Sequence, residues 1–370
     1  MSITNIKSET LLSHFGIVFK GSVLNEYKGI YGASHLSEHL VCKAIDIMQD
    51  EFDADGITFN AYTSSKYIYF YISGLDEYVN KHKYEFLQNL NNFNITEEEF
   101  QNEKKIVLEE FSDSFNQQGQ NHALNLMRKL FDCYNPIGLR EDLEKMTLKD
   151  IQKFVKLQYS KPHQIINVSK YNDFEGNIDF ATDVHKKTFM YDIYDVKIEK
   201  ENDFKGKSSI INLSKIVTED FGYVKFICSM LGTGLKSPLM QEVREKRGLV
   251  YNISCSMSSE TDDTALIWIE AETSNNNINE FQETVAMVLN NPKKYMTKER
   301  FDIIKKSYEI QFKKAEINRY SNVTKYIDEP KFQVETILKS ITLDKVMKVY
   351  DKYFNFDDYY KSIDKEEFEN

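Results

Sequence analysis

Cysteine is scarce in this chain. Its four cysteines (Cys42, Cys133, Cys228 and Cys255) are scattered through 370 residues, with no C-x-x-C pair. That spacing speaks against a disulfide framework and points to a reducing compartment. The first ten residues, MSITNIKSET, lack the apolar core of a secretory signal, and no later stretch approaches the length of a membrane span. A cytoplasmic protein with no membrane partner is the expectation. Basic charge is also in short supply. Lys and Arg number 47 against 58 Asp and Glu, a net charge of −11, the reverse of the basic surface that a general nucleic-acid binder needs. Acidity of this size is compatible with cationic substrates, although solubility alone accounts for it. What remains is a globular composition, 41% hydrophobic and 28% charged, long enough for more than one core.

Hydrophobic periodicity divides the chain into two similar halves. Residues 14–20 read as a strand, 33–49 as a helix opening after Gly32, and 56–64 and 66–73 as a strand pair. Helical patterns run from about 75 to 158, and His163–Ser169 closes the half as a strand. Strands at 208–214 and 221–230, a helix at 237–247, strands at 249–257 and 263–272, and helical patterns to 354 follow. Two segments repeat in the same order. TLKDIQKFVKLQYS (147–160) is similar to TLDKVMKVYDKYFN (342–355), and TEEEFQNEKKIVLEEF (96–111) to TKERFDIIKKSYEIQF (297–312). Duplication explains both. The expected organisation is a domain at 1–188, a polar linker at 189–207 and a homologous domain at 208–370. The fold class is α+β, each domain a mainly antiparallel sheet covered by helices.

The string HLSEH spans His35 to His39. On a helix, positions i, i+3 and i+4 share a face. Two imidazoles so spaced can grip one metal ion, with Glu38 beside them. Zinc accepts nitrogen and carboxylate ligands and keeps one position open for water at catalytic sites, so Glu38 would be the general base for that water. A third ligand is needed. At about 100° per residue, Phe100, Val107 and Phe111 form one buried stripe. Glu103 and Glu110 fall at its edge, while Glu109 faces solvent. Carboxylates beside a buried face require partners; a metal and its histidines would supply them. Glu110 is assigned as the third ligand and Glu103 as a residue orienting a histidine. Without the histidines upstream, both would read as salt-bridged helix glutamates. In the second half Ile304 and Gln311 stand at the matching positions, and residues 232–247 hold no histidine. The remaining histidines, His14, His82, His122, His163 and His185, read as structural. Cys42 reads as a small buried side chain rather than a ligand.

At these residues the chain resembles the pitrilysin/insulinase family of zinc peptidases, the inverzincins. The resemblance rests on GASHLSEH (32–39), FNAYTS (59–64), EKKIVLEE (103–110), NPIG (135–138) and LGTGLKSPLMQEVREKRGLVYNIS (231–254). It implies a pitrilysin-like fold, one Zn2+ per subunit on His35, His39 and Glu110, Glu38 as base, and Glu103 as support. It also implies that Asn60 and Ala61 lie on an edge strand that binds substrate as an added strand. Arg244 and Tyr251 match a pair that binds substrate backbone and stabilises the tetrahedral intermediate. Taken alone, Arg244 would be a surface charge, Tyr251 a strand aromatic and Asn60 a strand-end polar residue. Two such halves enclose a chamber in the family. A chain of one zinc domain and one partner domain therefore implies a homodimer, the Arg244/Tyr251 pair acting in trans. A heterodimer with a relative is the other arrangement implied. The expected activity is endopeptidase cleavage of peptides or unfolded segments; the alternative is a non-catalytic peptide-binding or scaffold subunit. The chain is shorter than typical members of the family, and three further features depart from them. There is room for only about one strand before the zinc helix, Cys42 and Ala44 replace a phenylalanine and a glycine, and the stretch before Gly56 is compressed.

Overall fold

The structure is a computed structural model that describes residues 2–115, 136–160, 162–176, 208–259, 263–317, 323–327 and 332–365. The linker expected at 189–207 lies outside the described residues, as do Asn135, His122, His185 and Cys133. The chain divides into two compact units.

The first unit is built on a five-stranded sheet of order β1-β5-β2-β4-β3. The strands are β1 (Ser2–Lys7), β2 (Leu12–Lys20), β3 (Thr58–Thr63), β4 (Tyr67–Leu75) and β5 (Gln164–Ser169). All pairings are antiparallel except β1 with β5. β2 lies between β4 and β5, and its two faces pack into different clusters, Phe15, Ile17 and Phe19 in one and Val18 in the other, so seven consecutive residues are buried. β3 is an outer strand and alternates exposed with half-buried. The helices are α1 (Ala33–Cys42), α2 (Gln49–Asp55), α3 (Asp76–Asn91), α4 (Glu97–Phe115), α5 (Arg140–Lys145) and α6 (Leu148–Gln158). Phe15, Ile17, Leu36, Phe70, Phe100 and Ile151 belong to one core between sheet and helices. On the other face Val18, Tyr69 and Ile166 cluster with Val323 and Ile327, so a short segment from late in the chain completes this unit.

The second unit carries a four-stranded antiparallel sheet, order β7-β8-β6-β9. Its strands are β6 (Ser208–Val217), β7 (Val250–Ser259), β8 (Ala265–Ser274) and β9 (Tyr360–Lys365). Helices α7 (Phe221–Gly232), α8 (Ile278–Leu289), α9 (Lys298–Ile317) and α10 (Leu343–Tyr353) cover it. Each unit thus runs strand, helix, strand pair, helices, strand, as the duplication requires. The repeated TL pairs even cap equivalent helices: Thr147 accepts the Asp150 N–H before α6, and Thr342 the Lys345 N–H before α10. The expected α+β class, with mainly antiparallel sheets covered by helices, is what the chain adopts.

Four expectations need correction. Two strands, not one, precede α1, because the polar run SITNIK pairs at the sheet edge, where little apolar content is needed. The helix expected over 33–49 ends at Cys42. Bonds from Ala44 and Ile45 back to Val41 and Cys42 tighten the turn, so Ile45 and Met48 stay in the core while Ile47 is 81% exposed. Residues 221–230 are helix, not strand. FGYVKFICSMLG is apolar on nearly every side, and a fully buried helix shows no amphipathic period to separate it from a buried strand. This helix is therefore the positional counterpart of α1 and, unlike α1, contains no histidine. Finally, β9 closes the second sheet where no strand was expected.

Candidate metal centre

The site begins with the anchoring of α1. Gly32 precedes it with a φ of 102° and no side-chain cap. The open amides are met from elsewhere: Glu26 accepts the Gly32 N–H at 3.1 Å and the Ser34 N–H at 2.8 Å, one on each carboxylate oxygen. A carboxylate at a helix N-terminus matches both the free donors and the dipole. Burial nevertheless pushes the Glu26 acid up to about 7, against the pull of the Ser34 and Gly32 hydrogen bonds. Asp142 of α5 accepts the Gly29 and Tyr31 N–H groups. Gly138 packs so closely on the same turn that a Cβ there would stand 2.2 Å from the Gly32 Cα. Neither Glu26 nor Asp142 was singled out in the sequence, although an acid just before a glycine-led helix is a signal for the first.

α1 packs against α4 with Phe100 and Val107 fully buried. This packing puts Glu103 and Glu110 next to the two histidines and leaves Glu109 exposed. His35 Nε2 lies 2.8 Å from Glu110 Oε2, and His39 Nε2 lies 3.7 Å from the same oxygen. On its other side His39 Nδ1 meets Glu103 Oε2 at 3.2 Å. Glu103 is 4% exposed, and its second oxygen takes Lys43 Nζ at 3.3 Å. Lys43, Glu103 and His39 thus form a chain that fixes the ring and turns Nε2 toward Glu110. The three candidate ligand atoms of His35, His39 and Glu110 all fall within 4.8 Å of one another. Two ligands on one tetrahedral zinc, at bonds of about 2.1 Å, stand about 3.4 Å apart. The two separations bracket that value, and two nitrogens with one carboxylate are a donor set zinc accepts. The residues fit the ion.

Glu38 lies alongside, 3.7 Å from His35 Nδ1. Its Oε2 accepts a short hydrogen bond from the Thr63 hydroxyl. Burial opposes its charge, yet His35, the Thr63 hydroxyl and the charge of His39 outweigh that and hold the carboxyl below its ordinary value. The same carboxylates work on His35, where Glu38 and Glu110 overcome burial and raise the imidazole. Thr63 was also missed from sequence. It sits on β3, on the same side as Ala61 and Phe59, the half-buried side of that strand. Asn60 and Ala61 precede it on the free edge. The Ala61 N–H donates to Asn60 Oδ1 at 2.8 Å, and Asn60 Nδ2 donates to the Tyr71 hydroxyl at 3.3 Å.

Arg244 and Tyr251 belong to the second unit. Arg244 lies in the last turn of a π-helical segment, Met240–Glu245, and Tyr251 follows on β7 where the pairing register slips between Val250 and Ile253. The guanidinium lies over the Tyr251 ring at 5.2 Å, and Tyr251 is 85% exposed. A cleft of about 740 Å³ opens beside it, lined in part by Asn252, Glu270 and Glu272. Cys42 is half-buried. Burial raises its thiol above the ordinary value, and the group of ligand atoms that converges here is His35, His39 and Glu110.

Two family models match the chain, one in each unit. The insulinase model, peptidase family M16, matches residues 3–136, and the model named peptidase M16 inactive domain matches 198–308. The chain belongs to the insulinase family, M16. Among curated proteins it is similar to an uncharacterized zinc protease of Rickettsia felis, 23% identical over 366 residues, covering 88% of this chain and 85% of the relative. It is also similar to the uncharacterized zinc protease YmxG of Bacillus subtilis, 24% identical over 302 residues, with 72% and 69% covered. Among solved structures, a protease from Helicobacter pylori superposes with a TM-score of 0.81 at 20% identity, covering 98% of this chain and 96% of that one. A peptidase M16 inactive domain from Pseudomonas fluorescens gives 0.74 at 15% identity, with 99% and 96% covered. The curated relatives are named zinc proteases, and the M16 domain that carries the three candidate ligands is the first.

Proposed function

We propose that this protein is a zinc-dependent endopeptidase that cleaves peptides or unfolded segments, with one catalytic Zn2+ per subunit. The observation that carries the reading is the convergence of His35, His39 and Glu110 beside a charged, hydrogen-bonded Glu38. His35, His39 and Glu110 would hold the ion, which supplies Lewis-acid polarisation of the scissile carbonyl and acidifies water. Glu103, backed by Lys43, sets the orientation of His39. Glu38 takes the proton from the attacking water and delivers it to the leaving amine. Thr63 holds the Glu38 carboxylate in place on the side of β3. Substrate adds as a strand along β3, contacting Asn60 and Ala61 through main-chain hydrogen bonds. To engage the Ala61 N–H, such a strand must displace the Asn60 side chain that now accepts it.

Arg244 and Tyr251 act as donors to the substrate backbone and the tetrahedral oxyanion. They do so in trans, in a cytoplasmic homodimer whose enclosed chamber selects substrates by size and flexibility. A heterodimer with a relative would use the same surfaces. Because the second unit matches an inactive-domain model, a scaffold subunit of a heteromeric complex is the competing reading, and one assay separates the two. Purified protein should contain zinc and cleave a mixed peptide library. A chelator should abolish cleavage, and Glu38→Gln should do so with zinc retained. Zinc-free protein that cleaves nothing, unaffected by Glu38→Gln, sinks the proposal. For the trans arrangement, mixing inactive Glu38→Gln with inactive Arg244→Ala should restore activity once subunits exchange.

A further inference from the structure

A second group of ligand-type side chains lies in the first unit, apart from every residue of the centre above. α2 carries Glu51 and Asp55; α3 carries His82 and Glu85, three residues apart and so on one helix face. His82 is 1% exposed, its ring edge-on to Phe52 at 5.4 Å between centroids. Its Nε2 lies 2.6 Å from Asp55 Oδ2, and the same oxygen takes Lys81 Nζ at 2.6 Å. The Asp55 contact engages Nε2 and leaves Nδ1, the other ring nitrogen, facing Glu51.

Nδ1 stands 3.7 Å from Glu51 Oε2. One ligand atom from each of Glu51, His82 and Glu85 falls within 4.8 Å of the other two. Both glutamates are exposed, and neither forms an ion pair with a lysine or arginine among the described residues. Two exposed carboxylates therefore converge on a buried imidazole whose far nitrogen is held by a third. That is the carboxylate–histidine arrangement that fixes tautomer and ring angle in metal sites. The sequence alone assigned His82 no role, since its partner ligand on α2 is 31 positions away.

We propose that Glu51, His82 and Glu85 form a second divalent-cation site, which binds Zn2+ and staples α2 to α3, with Asp55 positioning His82. One imidazole and two carboxylates suit zinc, with solvent completing the coordination. The test is zinc stoichiometry of the full chain, stripped with chelator and equilibrated by dialysis against zinc in excess. Two equivalents are expected. Glu110→Gln should weaken one of them, and the double variant Glu51→Gln/Glu85→Gln should remove the other. Both glutamates are exposed, so that double variant tests the site without opening the core, as a change at His82 would. Asp55→Asn should keep both equivalents but weaken the second roughly tenfold to hundredfold. A zinc-dependent rise in Tm in the Glu110→Gln background should vanish when Glu51→Gln/Glu85→Gln is added. A single equivalent in the wild type would overturn the proposal, leaving a histidine ion-paired between two acids. A second equivalent untouched by the double variant would overturn it equally.

Discussion

Glu26 offers the sharpest test of how the centre is held. It is 6% exposed and accepts two amide hydrogens at the start of α1. Two effects oppose each other there. The amides favour the carboxylate, and a buried N–H left without an acceptor costs about 1–3 kcal/mol. Burial disfavours the charge, and it wins: the acid rises from 4.5 to about 7, which corresponds to about 3 kcal/mol. Between pH 4.5 and 7 the folded chain keeps a proton on Glu26 that the unfolded chain has released. Folding takes up a proton in that window, so stability falls as pH rises through it and levels off above 7. Glu26→Gln cannot ionise and lacks this slope. In chelator-treated protein, where metal binding adds no pH dependence of its own, urea unfolding measures the difference directly. At pH 4.5 the variant should be less stable by about 1–3 kcal/mol, because its amide NH2 meets one backbone N–H. By pH 8 the wild type should have lost about 3 kcal/mol relative to it, erasing or reversing the gap. A gap that stays constant with pH refutes the reasoning. A gap that widens toward alkaline pH would mean the helix N-terminus, not burial, controls the acid.

Three further outcomes follow from the same geometry. Thr63→Val removes the hydroxyl that stabilises charged Glu38, and a hydrogen bond to a charged group is worth about 1.5–3 kcal/mol. Activity should drop by roughly ten- to a hundredfold, and the acidic limb of the pH–rate profile should move to higher pH, since the lost bond favoured ionised Glu38. Glu103→Ala should weaken zinc roughly tenfold to hundredfold in a chelator competition. Lys43→Met, one contact further out, should weaken it less; equal losses would argue against a chain of support running through Glu103. Gly138→Ala forces a Cβ onto Gly32 at a φ of 78°, and strain plus overpacking should cost about 2–6 kcal/mol. Gly29 also has positive φ but open space around it, so Gly29→Ala should cost only about 1–2 kcal/mol; similar losses at both would remove the close approach as the cause.

Much of this protein could be read before its fold was known, because its signals are local and periodic. HLSEH needs only helical geometry to put two imidazoles and a glutamate on one face. The 3.6-residue period of α4 separates Glu110 and Glu103 from Glu109, since the stripe Phe100, Val107 and Phe111 says which side is buried. The paired TL caps and lysine-rich helices exposed the duplication. Where amphipathicity vanished, reading failed. α7 is buried on nearly all sides and passed for a strand, and β1 and β9 were lost because edge strands tolerate polar residues. Contacts between residues distant in sequence carry no local pattern at all. Thr63 reaches Glu38 from a neighbouring strand, and Lys43 reaches Glu103 across two helices. His82 meets Glu51 only because α2 and α3 pack side by side. The sequence by itself determined which residues could ligate a metal and the helices that carry them. Tertiary structure decided which of them converge, because an atom-to-atom distance depends on how helices and strands pack, and no periodicity encodes that.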